Sequence, residues 1–159
     1  MPSVCKTFSA QFFNCNCFDK VIEQARNDID LDSASGDHFW LARAYASKGM
    51  YRDALAEFGK SSNSRDFQAY VLARSGERDK ARKILGELKT PSQQKRLRAS
   101  SIAIVYVGLG DNEDAFAWLM KAYEVRDFDL ISVKVDPIWD PLRPDPRFSE
   151  LLRKVGLPR

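Results

Sequence analysis

The run from His38 to Lys60, HFWLARAYASKGMYRDALAEFGK, constrains the fold more than any other stretch of the chain. Leu41, Ala42 and Tyr45 stand three and four residues apart and share one face of a helix, as do Ala54 and Phe58 on a second helix. Gly49 lies between them. A glycine there takes the left-handed conformation that ends the first helix, and Tyr51 re-enters the core as the second begins. The spacing therefore predicts a helix-turn-helix hairpin whose two arms touch through small residues.

Matching the turn residue and counting outwards places the same pattern elsewhere along the chain. In the third copy, within residues 62–89, Ala69, Leu72, Gly76, Ala81, Leu85 and Leu88 take the equivalent places, and Gln68 replaces a large apolar residue. The fourth, within 90–125, has Ile102, Ala103, Tyr106, Gly110, Ala115, Leu119 and Ala122 in register. The first copy, residues 1–33, is irregular. Asn16 stands at its turn, with Phe8, Ser9 and Phe12 before it and Phe18, Val21 and Ala25 after it. This predicts one helix from about Ser3 to Cys15 and another from Phe18 to Leu31, where Val21, Ile22, Ala25 and Ile29 form a single stripe. Asp37 is a suitable cap for the helix of the second copy, residues 35–61. Thr90-Pro91-Ser92-Gln93 reads as a helix start, and one long helix is expected from there to about Leu109.

Beyond Arg126 the prolines at 137, 141, 144 and 146 exclude a long helix before residue 145. Asp145-Pro146 starts a final helix in which Phe148, Leu151, Leu152 and Val155 share a face, and Gly156 ends it. A stack of hairpins leaves an apolar end, which this helix would cover together with Ile138, Trp139 and Leu142. The expected architecture is all-α, in a single domain over residues 1–159.

Residues that carry chemistry are sparse. The chain has one histidine, no glycine-rich phosphate loop and no nucleophile motif, so no catalytic residue, cofactor or metal ion is expected. His38, near a helix start, reads as a capping or surface residue. The acidic runs Asp28-Ile-Asp30-Leu-Asp32 and Asp111-Asn-Glu-Asp114 fall at a junction and a helix start, where carboxylates favour the helix dipole, and neither has calcium-loop spacing. Cys5, Cys15 and Cys17 read as thiols, because Cys15-x-Cys17 is too tight for a structural zinc pair and an odd number makes no disulfide framework. The longest apolar run, Ile102 to Leu109, is far short of a bilayer span. The first residues carry a single Lys and are broken by Gln and Asn, a poor secretory signal, which leaves a cytoplasmic address. A net charge of +3 does not demand nucleic acid.

The sequence Leu41-Ala42-x-x-Tyr45-x-x-x-Gly49-x-Tyr51-x-x-Ala54-x-x-x-Phe58, with its echo from Ile102 to Ala122, resembles the tetratricopeptide repeat family. The tail from Asp136 to Pro158 is similar to the ending of tetratricopeptide segments found behind bacterial transcriptional regulators, cyclases and serine/threonine kinases. The resemblance implies a right-handed superhelical stack of roughly four hairpins with a C-terminal capping helix. It also implies a protein-interaction scaffold or adaptor, whose first helices line a concave groove for a peptide or partner helix. That lining would be Phe39, Arg43 and Ser47, then Asp66, Tyr70 and Arg74, then Ser100, Ile104 and Val107. It suits a peptide with an acidic group and an apolar anchor. The family's chaperone-tail clamp is not reproduced, since Phe39, Tyr70 and Ile104 stand on the inferred lining. The alternative is RNA binding through a basic flank of Arg78, Lys80, Arg82, Lys83, Lys95, Arg96 and Arg98; solvated helix surface is the favoured reading of these charges, because acidic residues elsewhere nearly balance them. Phe8, Phe12, Phe13 and Phe18 further predict a homodimer through the N-terminal end wherever the first helix leaves an apolar patch.

Overall fold

In the computed structural model, which describes residues 17–31, 37–61, 64–94 and 98–157, every regular element is helical. Contacts group the chain into two compact units, Met1–Ser64 and Arg65–Arg159. The helix expected over Ser3 to Cys15 lies outside the described residues.

In the first unit, α1 (Phe18–Leu31) packs on α2 (Asp37–Ser47), and α2 packs on α3 (Tyr51–Lys60). The α2–α3 hairpin closes at Gly49, with φ 75°, and the Met50 N–H reaches back to the Tyr45 carbonyl at 2.9 Å. That is the bond of a Schellman helix end, open to glycine because no Cβ meets the preceding turn. Ala42 and Ala54 are wholly buried where the arms touch, and Phe58 fills the space beside them. The Phe39 ring stands edge-on to Phe58 and Trp40, with centroids 5.9 and 5.4 Å away. Cys17, just before α1, is disulfide-bonded, which corrects the reading of three free thiols.

The second unit repeats the device. Its hairpins are α4 (Arg65–Arg74) with α5 (Arg78–Leu88), and α7 (Ala99–Leu109) with α8 (Asn112–Glu124); a short α6 (Pro91–Gln94) lies between them. Gly76 and Gly110 have φ 97° and 76°, and the Glu77 and Asp111 N–H groups bond the Leu72 and Tyr106 carbonyls at 2.8 and 3.0 Å. Ala69, Ala81, Ala103 and Ala115 are wholly buried at the same steps from their glycines as Ala42 and Ala54 are from Gly49.

The centre of this unit is α7, buried at every position except Ser101. A helix apolar all round can only be an interior one. It is covered by α4, α5, α8 and a segment of the proline-rich tail. That tail makes two 3-10 segments, Phe128–Ser132 and Pro137–Leu142, followed by α9 (Pro146–Val155). Prolines rule out a long α-helix here, and Asp127, Asp136 and Asp145 cap the three short elements through the N–H groups of Asp129, Ile138 and Arg147. Ile138, Trp139 and Leu142 are buried, and the second 3-10 segment lies on α7.

One expected element is interrupted. In place of a continuous helix from Thr90 to Leu109, Arg98 is extended at φ −77°, ψ 150°, and α7 begins anew at Ala99. The tail accounts for the restart. Asp127 accepts from the Ser100 N–H at 3.1 Å and from its hydroxyl at 2.8 Å, and Asp129 pairs with Arg98. Asp127 thus satisfies a helix-start N–H that in a continuous helix would bond the carbonyl four residues back.

Candidate functional site

The positions expected to line a groove divide by burial. In the first unit Phe39 and Arg43 are half-buried and Ser47 is exposed. Arg43 spreads its guanidinium over two rings, 5.7 Å from the Trp40 centroid and 6.0 Å from that of Phe39, while Ser47 donates to the Arg43 carbonyl at 3.0 Å.

In the second unit Tyr70 is half-buried and Arg74 exposed, but Asp66, Ser100, Ile104 and Val107 are buried. The face of α7 that a concave groove needs is packed inside this unit. Asp66 accepts the Phe67 N–H at 2.9 Å. Burial raises its carboxyl above the usual value, and the nearby Asp129 adds to this, against hydrogen bonds from Ser101 and Phe67 that lower it. It is a structural carboxylate.

A second constellation, in the first unit, escaped the sequence reading. Arg26, Ile29 and Asp30 of α1, His38, Leu41 and Tyr45 of α2, and Glu57 and Lys60 of α3 line a cleft of about 420 Å³. Glu57 accepts from His38 Nδ1 at 2.7 Å and from Lys60 at 2.8 Å. Burial alone would raise its carboxyl; the hydrogen bonds and charges of Lys60 and His38 outweigh that and hold it below the usual range. Thus His38 is a half-buried strut between α2 and α3. Arg26 donates to the Tyr45 hydroxyl from Nε at 3.1 Å and from Nη2 at 2.6 Å. Both pairs join residues far apart in sequence, so no local spacing announces them. Tyr45 stood out only as a core residue.

The basic flank is largely engaged. Arg78 donates to the Leu109 carbonyl at 2.6 Å, Lys80 pairs with Glu77, Arg82 lies 4.0 Å from Asp79, and Arg98 pairs with Asp129. Lys95 and Arg96 lie outside the described residues. Among the described residues no cluster of His, Cys, Asp or Glu is placed to hold a metal ion, and no helix is long and apolar enough to cross a membrane.

The recurring glycine-closed hairpins make this an all-helical, repeat-like protein. No family model matches the chain, and no curated protein or solved structure matches it significantly.

Proposed function

We propose that this chain is a tetratricopeptide-like interaction module. In this reading it is a right-handed superhelical stack of hairpins with a C-terminal capping helix, and it holds a peptide or partner helix with an acidic group and an apolar anchor. The observation that carries the reading is the threefold recurrence of one device. A wholly buried Ala, a left-handed Gly and a second wholly buried Ala occupy 42, 49 and 54, then 69, 76 and 81, then 103, 110 and 115. Each glycine closes its turn with the same backward bond. Repeats of this kind serve as extended surfaces for other chains rather than as reaction centres.

The accessible candidates for contact are Phe39 and Arg43 in the first unit and Tyr70 and Arg74 in the second. Asp66, Ser100, Ile104 and Val107 support packing instead. The test is affinity capture from lysate with wild type and with the Arg43→Glu/Arg74→Glu double variant, each with and without nuclease. Protein partners retained after nuclease and lost in the folded variant are the expected result. A folded variant that keeps every partner overturns the assignment of these residues, and partners lost on nuclease treatment transfer the function to nucleic acid.

A further inference from the structure

The cleft between α1, α2 and α3 contains donors that the described residues of the first unit leave unused. The Arg26 guanidinium turns two N–H groups to the Tyr45 hydroxyl, so its charge meets a neutral oxygen. A phenol that accepts both bonds still has its own O–H proton to give. Tyr45 is only 6% exposed, and among the described residues its hydroxyl finds no acceptor. A buried donor left this way costs free energy, and an anionic oxygen is the group that would relieve it.

The charges nearby narrow the anion. Glu57 accepts from His38 and Lys60, and Arg26 from its own side donates to Tyr45. Asp30 lines the same cleft one helical turn after Arg26, and its charge favours a singly charged ligand over a doubly charged phosphate. The planar guanidinium fork matches a carboxylate. Ile29 and Leu41 add apolar wall, and the volume of about 420 Å³ suits a small organic group.

We propose that this cleft binds a carboxylate carrying a short aliphatic group, with Arg26 and Tyr45 holding the carboxylate between them and Ile29 and Leu41 packing on the aliphatic part. The site lies within one unit and does not depend on the helical-repeat reading. A free organic acid and the C-terminus of a peptide present the same chemistry.

The test is calorimetric titration of the full chain with N-acetyl-leucine, with its carboxamide, and with a short peptide ending in leucine with a free C-terminus. N-acetyl-leucine binds saturably, and the carboxamide binds about tenfold more weakly or worse. Arg26→Gln and Tyr45→Phe, each with an unchanged circular dichroism spectrum, lower the affinity for the acid by about tenfold. A peptide that binds about tenfold tighter than N-acetyl-leucine identifies a chain terminus as the ligand, and equal affinities identify a small acid. Absence of saturable binding by both acids, equal binding of acid and carboxamide, or wild-type affinity in Arg26→Gln overturns the proposal.

Discussion

Gly108 lies flat against Tyr70, and their backbones meet with no room for a side chain: a Cβ on Gly108 would stand 2.9 Å from the Tyr70 carbonyl oxygen and 3.0 Å from its Cα. This contact sets the closeness of α4 and α7 and seats the half-buried Tyr70 ring on the central helix. Gly108→Ala gains up to about 1 kcal/mol in helix propensity but forces backbone apart, for a net loss of about 1–2 kcal/mol. Gly86, in α5, has nothing within 4 Å of its Cβ direction. Gly86→Ala therefore stabilises by about 0.5–1 kcal/mol. Urea unfolding of the two variants gives midpoint shifts of opposite sign; two shifts of the same sign would refute the steric account.

The turn after α8 uses the glycine device without a glycine. Arg126 has φ 55°, and the Asp127 N–H bonds the Ala122 carbonyl at 2.8 Å, as at the glycine-closed ends. An L-residue there is strained by about 1–2 kcal/mol, partly offset by the greater freedom glycine has in the unfolded chain. Arg126→Gly raises stability by about 0.5–1 kcal/mol, read as a higher melting temperature, whereas Gly76→Ala at φ 97° lowers it by a similar amount.

Asp66 makes the second unit sensitive to pH in an uncommon direction. Burial raises its carboxyl above 3.8, so the folded state binds a proton more tightly than the unfolded state does. Stability is thus lost as pH rises from 3.8 through the raised value, and it stays lost above that window. Asp66→Asn keeps an oxygen for the Phe67 N–H and cannot ionise. Its stability relative to wild type grows with pH above about 4 and then levels off. A difference that is flat with pH, measured by unfolding in a buffer series, would remove the buried charge from the account.

What could be read from the sequence, and what could not, divides along a physical line. The alanines, glycines and apolar stripes of the hairpins were legible because their partners lie a turn or a hairpin away. The Pro146–Val155 helix was legible from its own cap and glycine end. The burial of Ser100 was not, because Asp127 reaches it from beyond residue 126, and Ile104 and Val107 are buried on a helix that elements from both sides in sequence enclose. The break at Arg98 has the same origin, since Asp127 and Asp129 are remote in sequence from the helix they start. Both pairs in the first-unit cleft, Arg26–Tyr45 and His38–Glu57, likewise exist only once helices have packed.

The His38–Glu57–Lys60 group supplies the opposite pH response in the first unit. Glu57 resists protonation in the folded state despite its burial, because Lys60 and His38 hold its charged form. A carboxyl held below 4.5 contributes stability above that value, and the contribution is lost as pH falls through the folded-state value. Glu57→Gln keeps the shape and weakens both charge-assisted bonds, costing about 1–2 kcal/mol at pH 7. At a pH below both values wild-type Glu57 is itself neutral, so the two proteins unfold alike. Circular dichroism in urea follows the transition; a destabilisation as large at a pH where Glu57 is protonated in both states as at pH 7 would assign the loss to packing and not to charge.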